Sequence, residues 1–420
     1  GEGAGRSERR ARGGGAGRRT PKYGHGTGDP PGAPGATRPA AAGAAALPPP
    51  RARHTGRPPA GGDRLPATPP RRKRDDSVGM AIVGLGGYAL NQIMPRIEQA
   101  ERMHISALVS GNPEKLAQVG DAYGVPADAR YSYAEFDKIA ADDRTQAVYI
   151  ILPTAFHADF TIRAFAAGKH VMCEKPMALS SAECEAMIAA ARRANRKLMI
   201  AYRCHFEPYN VEAMRLMREK AVGTIRLIRT DQSYRAGPTT PAQNWRFNRA
   251  LAGGGPLEDY GLYGLQSALY LSGEMPDSIS ATTFQPKGDP RFTEIFAHVA
   301  SQLTFPSGAV AQLATSYDAA GANVAQVRGT DGTLIMDPAT GYAGHRMRIE
   351  GRNARDFTPG DPTTQFAGQL NHFANAIRDN TAILTAGEMG LRDIRLIEAI
   401  YASARTGRTV KLMPDGRMRG

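Results

Sequence analysis

Three side chains of this sequence could polarise a hydroxyl group and move its proton. Lys175 lies in the tripeptide Glu174-Lys175-Pro176, directly after the apolar run 170–173. Asp259 and Tyr263 stand four residues apart, which puts both on one face of a helical turn. A phenol beside a lysine ammonium can take and give a proton, because the neighbouring positive charge lowers the tyrosine pKa. The spacing equally allows Tyr263 to be a core residue whose hydroxyl is bonded to Asp259.

A glycine pattern further upstream indicates a dinucleotide site. The segment Gly84-Leu-Gly86-Gly-Tyr-Ala89 has the form G-x-G-x-x-A and follows the apolar run 80–83. Glycine permits the tight turn and the close approach of backbone to a pyrophosphate, and the small third position lets a helix pack on the strand. In a chain with 47 glycines such a pattern is weak alone. Its position after the first predicted strand is what favours nucleotide binding.

The end of the next predicted strand bears on which dinucleotide binds. This strand ends in Ser110-Gly-Asn112, with Lys115 close behind. It has no carboxylate to hold the ribose 2′-hydroxyl of NAD or to repel a 2′-phosphate. Because Ser110 and Asn112 can donate hydrogen bonds and Lys115 supplies charge, the segment favours NADP. A simple turn followed by a solvated lysine fits it equally well.

The elements that must position these residues fall into two regions. From Ser77 to about residue 202, short apolar runs alternate with helix-like segments, a pattern typical of a parallel sheet covered by helices on both faces. Lys175 then lies at the carboxyl end of a strand, where open α/β sheets bind ligands. After Gly223, alternating segments such as 225–230 and 299–305 predict a mostly antiparallel sheet. Two amphipathic helices close the chain.

Charge separates a third region from these two. Residues 1–76 hold 16 of the 53 Lys and Arg residues and 6 of the 40 Asp and Glu residues, so they carry +10 of the net charge of +13. They contain 16 Gly and 13 Pro but almost no large apolar side chains, which predicts a disordered tail. Because the rest of the chain is nearly neutral and Tyr23 is the tail's one aromatic residue, we expect no specific nucleic-acid partner. No apolar run reaches the length of a membrane span, and three unpaired cysteines give no disulfide framework or zinc site.

The motifs together resemble the Gfo/Idh/MocA oxidoreductase family, and within it the glucose-fructose oxidoreductases. The resemblance covers residues 78 to about 410 in the same order; besides the glycine motif and 253–264 it rests on 149–153, 168–176, 202–205 and 336–342. Tyr263 stands where most of the family has histidine, and the basic segment 1–76 replaces the leader and proline-containing arm of those enzymes.

The resemblance implies a Rossmann NADP-binding domain at 77–202 and an α+β substrate-binding and oligomerisation domain at 203–412, with a C-terminal tail at 413–420. It makes Lys175 the contact to substrate and nicotinamide, Tyr263 the acid/base and Asp259 its neighbour. The residues expected at the cofactor or sugar are Gly84, Gly86, Tyr88, Ala89, Ser110, Asn112, Lys115, Leu152, Pro153, His157, Glu174, Lys175, Arg203, Trp245, Arg246 and Tyr342. No metal is expected.

The expected activity follows from this resemblance. A glucose-like aldose is oxidised to its lactone, and a second, fructose-like sugar is reduced to the polyol by the same tightly bound NADP. The alternatives are a conventional sugar dehydrogenase that releases NADPH and a noncatalytic NADP-binding protein. We expect a homo-oligomer, a dimer or tetramer, in the cytoplasm, or in the periplasm if the protein carries a leader.

Overall fold

The structure, a computed structural model, describes residues 76–97 and 99–419. The predicted disordered tail 1–76 therefore lies outside the described residues, apart from Asp76. Everything below concerns the described part of the chain.

The first half forms a six-stranded parallel sheet in the order β3-β2-β1-β4-β5-β6. This confirms the predicted Rossmann-type sheet. The central strands are apolar and buried along nearly their whole length, because helices cover both faces. The strands are β1 Val78–Val83, β2 Met103–Val109, β3 Arg130–Tyr131, β4 Ala147–Ile150, β5 His170–Cys173 and β6 Leu198–Ile200.

Two helices of this half, α2 and α4, begin at capping side chains. The side chain of Asn112 caps α2 by accepting from the Lys115 amide, and Ser180 with Glu183 forms a capping box at α4. The helices are α1 Met94–Ile97, which continues the π-helical turn Ala89–Ile93, α2 Pro113–Ala122, α3 His157–Ala166 and α4 Ser181–Ala194. Short 3-10 helices lie at Ala127–Ala129, Tyr133–Ala141 and Thr154–Phe156.

The second half forms a nine-stranded sheet in the order β14-β13-β12-β11-β7-β10-β9-β8-β15. Only β7 and β10 run parallel within it, so the predicted mostly antiparallel sheet is confirmed. The turns at 306–308 and 330–332 connect β9 to β10 and β11 to β12. The strands are β7 Ile225–Ser233, β8 Ser278–Phe284, β9 His298–Thr304, β10 Val310–Ser316, β11 Ala322–Gly329, β12 Gly332–Met336, β13 Met347–Gly351, β14 Arg355–Phe357 and β15 Val410–Lys411.

The remaining helices surround this sheet and join it to the first. They are α5 Pro208–Arg218, α6 Arg249–Ala252, α7 Leu262–Ser272, α8 Gln365–Arg378 and α9 Gly387–Thr406, with 3-10 helices at Arg203–Phe206, Trp245–Phe247, Pro290–Phe292 and Pro362–Thr364 and a π-helical turn at Leu257–Gly261. Helix α7 packs against β7.

Helices α8 and α9, placed by sequence with the second domain, also contact the first sheet's layer. The Arg378 guanidinium donates to the carbonyl of Ser77, and Glu398 on α9 accepts from the amide and hydroxyl of Ser181. The end of the chain therefore ties the two halves together. Residues 413–419, the described part of the expected C-terminal tail, contain a turn in which the Met413 amide donates to the carbonyl of Arg417, and the Arg395 guanidinium donates to the carbonyl of Asp415. No helix in the described residues combines the length and apolar character of a membrane span.

Close packing of α7 on β7 yields a stability prediction. A Cβ at Gly264 would lie 2.6 Å from the hydroxyl oxygen of Thr230, whereas one at Gly368 on α8 makes an ordinary 3.4 Å contact with Phe206. Gly264→Ala should lower the free energy of unfolding by about 1–3 kcal/mol, because the helix is pushed off the sheet. Gly368→Ala should be neutral or stabilising by up to about 1 kcal/mol, since alanine favours helices. Denaturant titration measures the free energy of unfolding of both variants. Equal values for Gly264→Ala and Gly368→Ala would contradict the packing argument.

Candidate functional site

A cleft of about 780 Å³ lies at the carboxyl ends of β1, β2, β4 and β5 and extends to the helical segments after β7. It is the place where an open α/β sheet binds its ligand. Of the residues predicted at the site, those that line it are Gly84, Gly86, Tyr88, Ala89, Ser110, Asn112, Lys115, Leu152, Pro153, Glu174, Lys175, Arg203, Trp245, Arg246, Asp259, Tyr263 and Tyr342.

Two glycines of the loop after β1 are needed for different reasons. Gly84 has a φ of +96°, and a Cβ there would lie 2.3 Å from the carbonyl oxygen of Ile151, so the fold itself requires glycine. A Cβ at Gly86 meets no protein atom within 4 Å. Gly86 therefore leaves room in the cleft at the start of a helix, where main-chain amides suit a pyrophosphate.

The segment after β2 forms one end of the cleft. Asn112 caps α2 with its side-chain oxygen, and the Lys115 ammonium donates to the carbonyl of Leu85 in the glycine loop at 3.2 Å. The turn interpretation of Ser110-Gly-Asn112 is thus realised, while Ser110, Asn112 and Lys115 also line the cleft. The carboxylates that line the cleft are Glu174, Glu258 and Asp259, and none of them follows β2.

Lys175 is held by Asp259 from across the cleft. Its Nζ donates to the main-chain carbonyl of Asp259 at 2.5 Å and to Oδ1 of the carboxylate at 3.3 Å. The same Nζ lies 4.9 Å from the ring centroid of Tyr263. Asp259 belongs to the π-helical turn before α7, and such turns are frequent at functional sites.

The carboxylate of Asp259 has two further partners. Oδ2 accepts from the hydroxyl of Tyr317 at 2.7 Å and lies 3.4 Å from Nε of Arg246. Although burial raises it, the pKa of Asp259 is held below its ordinary value by the charges of Lys175 and Arg246 and by the Tyr317 hydrogen bond. Asp259 is therefore an anion at neutral pH.

Tyr263 does not pair with Asp259 as the spacing suggested. Its phenol oxygen accepts from Nε of Arg203 at 3.1 Å, whereas the Asp259 carboxylate has the partners given above. The charge effect expected from Lys175 is also different in the structure. Burial raises the pKa of Tyr263 above its ordinary value, and the largest opposing effect is the positive charge of Arg203.

Arg203 is buried, with 3% of its surface exposed. The acceptors of its hydrogen bonds are neutral: besides Tyr263, they are the carbonyls of Thr340 and Gly341, the side-chain oxygen of Gln365 and the sulfur of Cys204. Its guanidinium carbon lies 4.5 Å from the ring centroid of Tyr263 and 4.6 Å from that of Tyr342. A full positive charge with neutral partners therefore acts directly on the phenol.

Aromatic rings form the walls of the cleft. Tyr342 is 41% exposed, and its ring centroid lies 6.3 Å from that of Tyr88 in the glycine loop. Arg246 stacks over Trp245 at 4.6 Å. Flat apolar faces beside charged groups suit a sugar ring, which has both C–H faces and hydroxyl edges.

Glu174 lines the cleft, whereas His157 supports it from behind. Glu174 accepts from the Tyr149 hydroxyl at 2.6 Å, and burial raises the pKa of its carboxyl. Unlike the other predicted residues, His157 is not among the cleft lining. Its ring nitrogens lie 2.9 Å and 2.8 Å from the carbonyl oxygens of Pro176 and Leu152, so it joins the loops after β4 and β5.

Several lining residues escaped the sequence-based prediction. Glu258 and Tyr260 stand inside the quoted 253–264 motif, so the motif itself was a signal for them. Thr340 likewise stands inside the quoted 336–342 motif and lines the cleft. Tyr133, Tyr234 and Asn244 also line the cleft, and Tyr317 contacts it through Asp259. These four residues have no recognisable spacing in the sequence, and only the tertiary structure reveals them. No group of His, Cys, Asp and Glu side chains in the described residues is arranged to hold a metal ion.

Comparison with known proteins defines the class to which this fold and cleft belong. Residues 78–202 match the oxidoreductase family with an NAD-binding Rossmann fold, and residues 211–335 match the GFO/IDH/MocA C-terminal domain. The matches span more than half of the chain, and the protein therefore belongs to the Gfo/Idh/MocA family of oxidoreductases. Several of its relatives are named as sugar dehydrogenases or oxidoreductases, and the matched family binds a pyridine nucleotide.

Individual relatives narrow the comparison. The D-xylose 1-dehydrogenase [NADP(+)] of Haloarcula marismortui is 30% identical over 344 residues, covering 80% of this chain and 94% of that protein. The D-xylose 1-dehydrogenase (NADP(+)) 2 of Haloferax volcanii is 30% identical over 336 residues, which cover 79% of this chain and 98% of that protein. The crystal structure of aldose-aldose oxidoreductase from Caulobacter crescentus complexed with glycerol is 46% identical, covers 80% of this chain and 100% of that one, and superposes with a TM-score of 0.77.

The two glycines of the loop give a paired prediction. Gly86→Val should leave the melting temperature unchanged and weaken NADPH binding by at least about tenfold, because the side chain occupies open space in the cleft. Gly84→Val should lower the melting temperature itself, because it forces a branched side chain into a left-handed backbone and against Ile151. Thermal unfolding and a fluorescence titration with NADPH separate the two effects. Equal NADPH affinity in Gly86→Val and the parent would contradict this use of the loop.

Proposed function

We propose that this protein is an NADP-dependent sugar oxidoreductase that oxidises a glucose-like aldose to its lactone and reduces a second, fructose-like sugar to the polyol with the same tightly bound cofactor. The observation that carries the proposal is the meeting of Lys175, Asp259 and Tyr263 in the cleft that the glycine loop also lines. The names of the relatives support both the aldose substrate and NADP.

The residues at one end of the cleft fit the cofactor. Gly86 leaves room for a pyrophosphate, while Ser110, Asn112 and Lys115 offer donors and charge to a 2′-phosphate without an opposing carboxylate. Bound NADP supplies the acceptor and then the donor of hydride. Lys175 lies 4.9 Å from the ring centroid of Tyr263, and the sugar carbon has to be presented beside these two side chains.

Tyr263 serves as the acid/base for the sugar hydroxyl. Its oxygen already accepts the Arg203 hydrogen bond, so its own proton is left to a group in the cleft. When the phenol takes the form of phenolate, the buried charge of Arg203 stabilises it. Lys175, fixed by Asp259, polarises the same hydroxyl and orients it.

Two narrower alternatives have specific support. The relatives named D-xylose 1-dehydrogenase favour an enzyme that releases NADPH after each turnover. The relative named aldose-aldose oxidoreductase favours a second aldose in place of the fructose-like sugar. Both use the same cleft and the same proton transfer.

We further propose that residues 77–202 act as the NADP-binding domain and residues 203–412 as the substrate-binding and oligomerisation domain of a homo-oligomer. The division is supported by the two sheets, one on each side of residue 202. The expected cytoplasmic location agrees with Cys173, Cys184 and Cys204, which are free thiols.

The activity is tested by following the absorbance of reduced nicotinamide in the purified protein. Glucose or xylose should reduce the bound cofactor, and fructose or a second aldose should then oxidise it without added nucleotide. Tyr263→Phe should fold, keep NADP and slow both half-reactions by about 10²–10⁴-fold, the usual contribution of one proton transfer.

The matched control is Tyr270→Phe, which removes a buried hydroxyl from the same helix, where it donates to Asn210. This variant should turn over sugars at the parent rate. A parent protein that reduces NADP with none of these sugars would overturn the proposed function. If Tyr263→Phe turns over sugars at nearly the parent rate, another residue must be the acid/base.

Cofactor choice is tested at Ser110. NADP should bind the parent protein ahead of NAD, and Ser110→Asp should reverse this order because it sets an anion against the 2′-phosphate. Ser110→Asn introduces a side chain of nearly the same size as aspartate but without its charge. This variant should therefore retain the preference for NADP. Fluorescence titrations with NADPH and NADH measure the order, and a parent protein that binds NADH equally well would contradict the assignment.

A further inference from the structure

Tyr317 has no role in the proposed chemistry, although its hydroxyl contacts one of the proposed groups. The residue directly follows β10 and is fully buried. Its hydroxyl donates to Oδ2 of Asp259 at 2.7 Å, across 58 residues of sequence. A buried hydroxyl needs an acceptor in any case, so the hydrogen bond alone does not distinguish a structural tyrosine from a functional one.

The ring of Tyr317 is fixed by a second apolar cluster, separate from the main core. The buried members of this cluster are Ala236, Phe247, Phe292, Ile295, Ala297 and Tyr317. The main chain of Tyr317 is fixed as well: its amide donates to Ala297, and its carbonyl accepts from Ala236. The position of the hydroxyl is therefore set by the packing of the ring and by two main-chain hydrogen bonds.

The same cluster also supports the wall of the cleft. The ring of Phe247 lies 5.4 Å from that of Tyr317, and Phe247 directly follows Trp245 and Arg246. Arg246 in turn lies 3.4 Å from the same carboxylate oxygen that accepts from Tyr317. Both partners of Asp259 Oδ2 are thus positioned by one small group of apolar side chains.

This arrangement determines which oxygen of Asp259 is left for Lys175. Oδ2 is occupied by Tyr317 and faced by Arg246, so Oδ1 is the carboxylate oxygen that reaches the ammonium, which also donates to the main-chain carbonyl of Asp259. Lys175 and Arg246 have long, flexible side chains, whereas the phenol is rigid and held by its cluster. The rigid partner sets the orientation, and the flexible ones adjust to it.

We propose that Tyr317 is a positioning residue that holds the Asp259 carboxylate in the orientation that keeps Lys175 beside Tyr263. The inference deepens the proposed function and rests on it for the consequence in catalysis. If Tyr317 has this role, removal of its hydroxyl affects the reaction only by way of Asp259. The same removal also makes Lys175 more mobile, even when no sugar is bound.

A double-mutant cycle tests the first consequence. Tyr317→Phe keeps the ring and should lower the rate of cofactor reduction at saturating sugar by about 10- to 100-fold, as expected for a lost hydrogen bond to a charged group, with NADPH affinity unchanged. When Asp259 is already Asn, the same change should cost less than about threefold, because its target is gone. Tyr131→Phe is the control, since it removes a phenol that donates to the buried carboxylate of Asp142 in the first sheet. This control should keep the parent rate. Additive losses in the cycle would overturn the proposal.

The reactivity of Lys175 tests the second consequence without any turnover. Reductive methylation followed by peptide mass spectrometry should label Lys175 faster in Tyr317→Phe and in Asp259→Asn than in the parent, with Tyr131→Phe unchanged. Melting temperatures of Tyr317→Phe and Tyr131→Phe show whether the folded state is retained equally. If none of the tested sugars leads the parent protein to reduce NADP, the proposed function fails, and the labelling alone decides the role of Tyr317. Labelling of Lys175 at the parent rate in Tyr317→Phe overturns the proposal, whatever the kinetics show.

Discussion

A lysine ammonium taken out of water must find acceptors, and the site is organised around how Lys175 finds them. Only 13% of its side chain is exposed, and both its hydrogen bonds go to Asp259, 84 residues further along the chain. Burial of two charges costs several kcal/mol per ion unless geometry and further hydrogen bonds compensate. Here the compensation comes from Tyr317 and Arg246, so the ion pair requires the second sheet to lie over the carboxyl ends of the first.

Arg203 follows a different rule from Lys175. Its guanidinium is bonded to two main-chain carbonyls, an amide oxygen and a phenol, and lies against two aromatic rings. Such partners satisfy its donors without neutralising its charge. The buried charge therefore remains available to a phenolate at Tyr263, whereas the charge of Lys175 is largely taken up by Asp259. The cleft therefore combines one cation that is paired directly with a carboxylate and one whose direct hydrogen-bond partners are neutral.

The fold supplies the rigidity that this arrangement needs. The main chain after β5 carries Lys175, and the loop there is joined to the loop after β4 by His157. The π-helical turn that carries Asp259 leads directly into α7, which packs on β7 so closely that Gly264 has no room for a side chain. Helices α8 and α9 then return to the first sheet, so each half of the cleft is held by elements from both ends of the chain. Precise contacts across the cleft depend on this double attachment.

The sequence by itself determined what depends on neighbouring residues. Apolar runs and glycine turns located the parallel strands and the antiparallel sheet. A strand buried on both faces is apolar throughout, whereas a strand buried on one face alternates apolar and polar residues. The glycine loop and the placement of Lys175 at a strand end followed from the same local patterns. The tertiary structure alone decided the partners. The Asp259 carboxylate accepts from Tyr317 rather than from Tyr263. The cation bonded to the Tyr263 phenol is Arg203, 60 residues earlier in the chain, where the sequence had suggested Lys175. His157 supports loops instead of lining the cleft. The physical reason is that a hydrogen bond between distant residues depends on how two sheets and their helices pack, and no local period encodes that packing.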